Sequence, residues 1–241
     1  MVKVNPIDLC CSAPKLRCGG TGGLSKTPSL ETTMTVEVTP GIIRKLWTGE
    51  AGVFRDHLLR LDTESRRSRF GSAVSAEFVE RYASRVFRTG AIVHGCFVDG
   101  ELRAAAELYP MGDVLPGEAE AAFSVEKEFQ NHGLGSQLLE RVILSARNRG
   151  IRTLCMNCLA HNRRMQQIAR KFDAELSFDT DEVVAELTAP FPTALSLAQE
   201  AAADAQGMAG AVLQAQRMAT GRLFDWLLPE PAQVEPELEP S

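Results

Sequence analysis

The chain has 241 residues, of which 44% are hydrophobic and 24% charged, a composition typical of a globular protein with one domain and extensions. Its net charge of −5 gives no reason to expect a nucleic-acid partner. No apolar run is long enough to cross a bilayer and no apolar signal core begins the chain, so we expect a cytoplasmic protein without a membrane partner.

The two ends of the chain differ from its centre in composition. Residues 1–33 are rich in Gly, Ser, Thr and Pro, which predicts a disordered N-terminal extension. Residues 229–241 form an acidic, proline-rich tail that we also expect to be disordered. A globular domain is predicted over 34–189, and the sequence leaves open whether Met34 is the true start.

In the first half of the domain the sequence predicts a helical segment over 40–61, a polar and strongly basic turn over 62–70, a helix from Ser75 to Val86, and strands over 92–98, 102–109 and 118–125. In the second half it predicts a helix that starts at Leu134 and ends at Gly150, a strand over 153–159, a helix carrying Met165 and Phe172, and a strand pair over 176–187. Ser75 is a typical N-cap residue. Asp99-Gly100 is a strong signal for a two-residue hairpin.

The Ala- and Gln-rich segment 190–228 predicts a helical extension after the domain. Gly207 and Gly210 weaken helix formation, so one long helix and two shorter ones are both open. The apolar side chains of this segment are candidates for pairing with a second copy, which would make the protein a homodimer.

The spacing Cys155-x-x-Cys158 invites a metal or redox interpretation. Both cysteines lie in the predicted strand 153–159, where Cys is a common small core residue. A zinc site would also need a second ligand pair at a matching spacing. We therefore predict core cysteines and no metal site.

The run Gln130-Asn131-His132-Gly133-Leu134-Gly135-Ser136 lies between a predicted strand and a predicted helix. Glycines let the backbone approach an anion, and a helix N-terminus adds uncovered N–H donors and a partial positive charge. The run therefore predicts a phosphate-bearing ligand. A dinucleotide fingerprint would need a third glycine where Leu138 stands, and the Gly-Lys-Ser/Thr of a nucleotide triphosphate loop is missing.

The order of elements around Gln130-x-x-Gly133-x-Gly135 resembles the GNAT acetyltransferase superfamily over about residues 40–188. Three further stretches are similar to the branch of that superfamily with bacterial protein-lysine acetyltransferases. They are Ala119-Glu120-Ala121-Ala122-Phe123-Ser124-Val125, Asn162-Arg163-Arg164-Met165, and Leu61-Asp62-x-x-Ser65-Arg66-x-x-Arg69-Phe70.

The resemblance implies an α/β fold with a mixed, mostly antiparallel central sheet flanked by helices. Acetyl-CoA, as co-substrate, would lie in a gap between the two central strands. Backbone groups of one strand would pair with its pantetheine arm. The resemblance assigns cofactor binding to Phe123, Ser124, Val125, Gln130, Asn131, His132, Gly133, Leu134, Gly135, Ser136 and Asn162.

Acetyl transfer to an amine needs a base, because an ammonium group has no lone pair with which to attack. The resembling lysine acetyltransferases have a glutamate at the position of Glu120, which we predict as the base. Glu107 and Glu118 are rival candidates, and a solvated Glu120 paired with an arginine is the structural alternative. Burial would raise the pKa of the chosen carboxylate toward neutrality.

Many family members carry a tyrosine in the last helix as the acid that protonates the leaving thiolate. Ala169 stands at that position here, as in the lysine acetyltransferase branch, so the acid stays unassigned. His161 is near enough in sequence to consider, although a histidine beside a helix is more often a surface residue.

A basic run precedes the second predicted helix and consists of Arg60, Arg66, Arg67 and Arg69. It could attract an acidic substrate or the adenosine 3′-phosphate of the cofactor. The alternative that we prefer is a solvated turn whose arginines pair with nearby Asp62 and Glu64.

The leading hypothesis is an acetyl-CoA-dependent N-acetyltransferase that acts on a primary amine, either a protein lysine or a small molecule, by direct attack in a ternary complex. The alternative from another class is a non-catalytic acetyl-CoA sensor that regulates a partner. The sequence does not reveal the acceptor.

Overall fold

A computed structural model gives the fold, and it describes residues 41–111 and 117–227. The predicted disordered segments 1–33 and 229–241 and the proposed start at Met34 lie outside the described residues. The strands are β1 (Ile42–Lys45), β2 (Ile92–Val98), β3 (Glu101–Met111), β4 (Glu118–Val125), β5 (Thr153–Leu159), β6 (Glu175–Phe178) and β7 (Glu182–Thr188). The helices are α1 (Ala51–Arg60), α2 (Thr63–Phe70), α3 (Ala76–Val86), α4 (Leu134–Asn148), α5 (Arg163–Lys171) and α6 (Ala194–Leu227).

The seven strands form one sheet in the order β1-β2-β3-β4-β5-β7-β6. Every neighbouring pair is antiparallel except β4 and β5, which are parallel. The predicted fold class is therefore confirmed: a mixed, mostly antiparallel sheet with helices around it and a helix at its C-terminal end. Within the two described ranges, none of the helices combines the length and apolar character that a bilayer-crossing segment needs.

The two central strands separate soon after they meet. β4 pairs with β5 only from Glu118 to Glu120, opposite Thr153 to Cys155. On its other side β4 stays paired with β3 along its full length to Val125. The edge of β4 that faces β5 is therefore open beyond Glu120, and a gap lies between the two strands.

Successive side chains of each strand point to opposite faces of the sheet, and a separate hydrophobic core lies on each face. Ala119 and Ala121 of β4 are buried against the side of the sheet covered by α4 and α5. The opposite face packs against α1 and α3, with Phe54 and Val79 at its centre. Glu120, between the two alanines, faces the second side, where α2 contacts β4 and β5.

The helical segment predicted over 40–61 was wrong in its first part. Ile42–Lys45 forms β1, which pairs with the edge of β2, and helix α1 begins only at Ala51. The two β-branched residues of β1 favour a strand once a neighbouring strand is present. Local apolar spacing could not reveal that neighbour, because β2 lies about fifty residues further along the chain.

The basic turn predicted over 62–70 was also wrong, because these residues form α2. Asp62 caps the helix, its carboxylate accepting hydrogen bonds from the backbone of Glu64 and Ser65. Gly71, with φ of 71°, ends the helix in the left-handed conformation that glycine favours. The sequence therefore contains both an N-cap residue and a C-terminal glycine for this helix. The helix was not predicted because the segment has few apolar residues and so lacks a helical apolar pattern.

The extension is a single helix, so the alternative of two shorter helices was wrong. Gly207 and Gly210 lie where α6 crosses β1, and a Cβ atom on Gly207 would lie 2.6 Å from Cβ of Arg44. The glycines permit close contact between a helix and a strand and do not interrupt the helix.

Several local predictions are confirmed. Asp99 and Gly100 both have positive φ, as a tight hairpin between β2 and β3 requires. The Ser75 hydroxyl accepts a hydrogen bond from the backbone N–H of Phe78 at the start of α3. Cys155 and Cys158 are both buried in β5, as predicted for core residues.

Candidate active site

The open edge of β4 presents peptide groups to the gap. Just after the strand, the N–H of Glu126 donates to the carbonyl of Arg103 on β3 at 3.0 Å. Because successive residues of a strand direct their peptide groups to opposite sides, Phe123 and Val125 direct theirs away from β3 and into the gap. An extended chain lying in the gap could hydrogen-bond to them, as an added strand does.

The loop after β4 turns through two left-handed residues into α4. Asn131 has φ of 67°, and Gly133, the N-cap of α4, has φ of 79° and no side-chain cap. Among the hydrogen bonds of the described residues, none uses the backbone N–H groups from Asn131 to Ser136. This row of donors at a helix N-terminus fits the pyrophosphate of acetyl-CoA.

Side chains around the loop hold it in place. The amide nitrogen of Gln130 donates to the carbonyl of Val125 at 2.9 Å and to the hydroxyl of Ser65 at 3.0 Å. Arg164 of α5 donates to the amide oxygen of Gln130. A Cβ atom on Gly135 would lie 2.7 Å from Cδ1 of Ile168, so the start of α4 packs tightly on α5. The loop is therefore fixed to α2, β4 and α5 before any ligand binds.

The other predicted cofactor residues differ in the groups with which they could contact acetyl-CoA. Ser124 is buried on the face of the sheet that packs against α1, where its hydroxyl lies 2.9 Å from Nε2 of His57. Its side chain therefore does not reach the gap. Leu134 is buried in the core and can contribute only its N–H, whereas His132 is exposed. Asn162 caps α5, its side-chain oxygen accepting from the N–H of Met165 at 3.1 Å. Only the amide nitrogen of Asn162 is left to face a cofactor.

Three carboxylates were candidates for the base, and their surroundings differ. Glu120 is half-buried where β4 and β5 separate. Burial raises the pKa of Glu120, and the nearby charge of Glu107 raises it further. Arg69 and a hydrogen bond with Asn157 lower the pKa, but the net pKa stays above the usual value. Glu118 is exposed at the start of the strand. Of the three, Glu120 has the environment that suits a base.

The hydrogen bonds that Glu107 accepts make it less suited to act as a base than Glu120. Its side chain is fully buried and accepts from Arg69 at 2.5 Å, from Tyr82 at 2.6 Å and from Tyr109 at 2.7 Å. These four residues form what we call the Arg69 cluster. Sequence reasoning missed the cluster, because Arg69 and Glu107 are 38 positions apart and no local pattern links them.

Three of the four arginines in the basic run bind groups of the protein itself that neither interpretation of the sequence predicted. Arg69 belongs to the Arg69 cluster, and Arg66 donates to the backbone carbonyls of Leu59 and Leu61. Arg60 donates to the carboxylate of Glu126 at 2.9 Å. Arg60, Arg66 and Arg69 thereby hold neighbouring segments together, and Arg60 and Arg67 are the exposed members of the run.

A second buried group was also missed by sequence reasoning, and it anchors the end of β4. The Glu126 carboxylate contacts His57 of α1, Arg60 and Arg103. Burial by itself would raise the pKa of Glu126, but hydrogen bonds from His57 and Arg103 outweigh it and lower the pKa. The strand that presents Phe123 and Val125 is thereby tied to α1.

The position where relatives carry a tyrosine acid is closed to the gap. Ala169 lies on the core side of α5 and is fully buried, whereas His161 is exposed after β5. No acid is assigned by this arrangement. No cluster of three or more His, Cys, Asp or Glu side chains suited to a metal ion occurs in the part of the chain that the structure describes.

Residues 56–173 match the family model of the acetyltransferase (GNAT) family. They run from the middle of α1 to just after α5 and include both the open edge of β4 and the loop before α4. The domain belongs to the GNAT superfamily. This membership identifies an acetyltransferase domain, and the donor row and the gap described above fit acetyl-CoA as its co-substrate.

Solved structures share the GNAT fold. The GNAT domain of S. lividans PAT is 24% identical with a TM-score of 0.54, over 61% of this chain and 90% of that one. The acetyltransferase yncA from Salmonella typhimurium, whose structure contains acetyl-CoA, is 15% identical with a TM-score of 0.52, over 65% and 98%. An N-acetyltransferase from Staphylococcus aureus Mu50 is 18% identical with a TM-score of 0.50, over 63% and 100%. A comparison with curated proteins gives no match.

Proposed function

We propose that this GNAT domain transfers the acetyl group directly to a primary amine in a ternary complex, with Glu120 as the general base. The observation that carries the proposal is the separation of β4 from β5 at Glu120, which places a half-buried carboxylate with a raised pKa at the closed end of an open strand edge. The acceptor is a protein lysine or a small-molecule amine. The fold shared with the GNAT domain of S. lividans PAT supports testing lysine peptides first.

Each part of the site has a defined task in this reaction. Acetyl-CoA supplies an activated acetyl thioester. The N–H groups from Asn131 to Ser136 hold its pyrophosphate, and the peptide groups of Phe123 and Val125 align its pantetheine arm. Glu120 takes the proton from the acceptor ammonium, directly or through water, so that the nitrogen lone pair becomes available.

The test is a turnover screen that measures free thiol released from acetyl-CoA with lysine peptides, polyamines and an aminoglycoside. We expect Glu120→Gln to lower kcat at least about 100-fold, because general base catalysis contributes about that much. Coenzyme A affinity, measured by calorimetry, should stay the same. Glu118→Gln, a change of the same kind at an exposed position of the same strand, should leave both quantities near those of the unaltered protein.

The outcomes separate the competing functions. Full activity of Glu120→Gln would remove Glu120 as the base. Binding of acetyl-CoA without turnover of any amine would favour a non-catalytic sensor. Absence of any heat with coenzyme A or acetyl-CoA would overturn the proposed site itself.

The cytoplasmic location and the homodimer through α6 remain predictions. Several apolar side chains of α6 are exposed, among them Leu195, Leu197, Met208, Val212 and Leu213. Mass measurement in solution, before and after these side chains are changed to polar ones, tests the dimer.

A further inference from the structure

The Arg69 cluster lies directly beside Glu120. Tyr109 of β3 is the register partner of Glu120 on β4, and Glu107 is the register partner of Ala122. Register partners point to the same face of a sheet, so Glu107 and Glu120 are diagonal neighbours, which in antiparallel sheets lie about 7–8 Å apart. Two carboxylates at that separation repel each other unless a cation lies near them.

Arg69 is a cation in that position, and it is held there firmly. Its side chain is 8% exposed and that of Glu107 is 0% exposed. The guanidinium donates to Glu107 through both Nε, at 3.1 Å, and Nη2, at 2.5 Å, and Nη2 also donates to the Tyr82 hydroxyl. Tyr82 and Tyr109 donate to the other carboxylate oxygen of Glu107. Every charged member of the cluster is therefore fixed by several hydrogen bonds.

We propose that Arg69 and Glu107 are positioning residues that hold two opposite charges, both shielded from solvent, beside Glu120, so that their fields on its carboxyl group offset each other. Arg69 favours the ionised form of Glu120 and Glu107 disfavours it. With both charges in place, burial decides the balance and the pKa of Glu120 stays raised, as a base working near neutral pH needs. This inference rests on the proposed role of Glu120.

Apart from Arg69 of α2 and Glu107 of β3, the polar groups around Glu120 do not provide a pair of opposite charges. These other groups are Tyr82 of α3, Tyr109 of β3, Glu118 of β4, and Cys155 and Asn157 of β5. The tyrosines have pKa values raised by burial and stay uncharged. The Asn157 side chain is neutral, and Glu118 is exposed to solvent.

The test titrates the Glu120 carboxyl carbon by NMR in the full chain, its signal identified by its loss in Glu120→Gln. Glu107→Gln leaves the Arg69 charge unopposed, so the pKa of Glu120 should fall by about half a pH unit or more. Arg69→Met removes the cation, so the pKa should rise. The double variant removes both charges and should return the pKa to within about 0.3 pH units of its original value.

Tyr82→Phe is the matched control, because it removes one hydroxyl from the cluster without changing a charge. It should leave the titration of Glu120 unaltered. The acidic limb of the pH profile of kcat/KM, measured with one amine throughout, should move with the NMR values. A structural role of the cluster alone predicts loss of folded protein but no directed movement of this limb.

The inference is overturned if the pKa of Glu120 is unchanged or raised in Glu107→Gln, or if the double variant does not restore the original pKa of Glu120. Should Glu107→Gln not fold, Arg69→Met decides alone. A lowered or unchanged pKa of Glu120 in Arg69→Met then overturns the inference. Failure of the proposed function is seen separately, since the NMR titration needs no turnover. In that case no amine is acetylated, whatever the titration shows.

Discussion

Three glutamates on two neighbouring strands show how environment assigns roles to one residue type. Glu118 is exposed, Glu107 is enclosed by donors, and Glu120 lies between these extremes with a raised pKa. A base must be able to lose and regain a proton near the working pH, which neither a solvated nor a saturated carboxylate does well. The intermediate burial of Glu120 follows from its position where β4 leaves β5.

At the same scale, the loop before α4 depends on a glycine in the left-handed conformation. Gly133→Ala should lower the free energy of unfolding by about 1–2 kcal/mol, because φ is 79° there, and should also weaken coenzyme A binding by moving the donor row. Gly150→Ala is the matched control at the other end of α4, where φ is 73° and no atom is near an added Cβ. It should cost similar stability and leave binding unaltered, as measured by urea unfolding and calorimetry. Equal binding losses in both variants would contradict this account.

At the scale of elements, α6 covers β1, which is one of the two edge strands of the sheet. An uncovered edge strand presents unpaired backbone groups to other chains, so a helix across it protects the sheet. The close contact is possible because Gly207 carries no side chain where Arg44 and the carbonyl of Ile43 approach it. The helical extension is in this respect part of the domain and not a separate appendage.

The two glycines of α6 give an element-scale prediction. Gly207→Ala should destabilise the protein by about 1–3 kcal/mol although alanine favours helix, because its Cβ would lie 2.6 Å from Cβ of Arg44 and 3.1 Å from the carbonyl of Ile43. Gly210→Ala meets the flexible end of Ile42 at 3.0 Å and should cost less or stabilise. Urea unfolding of both variants measures the difference, and the reverse order would show that α6 does not depend on this contact.

At the scale of the whole molecule, one buried polar network connects three elements distant in sequence. The Glu200 carboxylate of α6 accepts from Lys45, 155 positions earlier in the chain, and from Ser145, Asn148 and Arg149 around the end of α4. Burial alone would raise the pKa of Glu200, but hydrogen bonds from Lys45, Asn148 and Arg149 lower it to about 2. The network joins the extension to both the sheet edge and the central helix.

The network predicts a pH-dependent stability. A carboxyl group whose folded pKa is depressed stabilises the protein above its unfolded pKa of about 4.5, and this contribution is lost as pH falls toward about 2. Glu200→Gln should therefore lower the free energy of unfolding by about 2 kcal/mol at neutral pH, with a difference from the unaltered protein that shrinks below about pH 4.5. Urea unfolding across that range measures it. Glu186→Gln, at an exposed position of β7, is the control and should show no such dependence.

The sequence by itself determined the order of elements from α3 onward, the Asp99-Gly100 hairpin, the capped start of α3, and the succession of strand, glycine loop and helix that we propose as the cofactor site. These depend on spacing, turn chemistry and caps, all of which act over a few residues. Only the tertiary structure decided that Ile42–Lys45 is a strand, that Gly207 contacts it and which glutamate is half-buried. The physical reason is that these outcomes depend on partners tens of residues or more away, which become neighbours only when the sheet assembles.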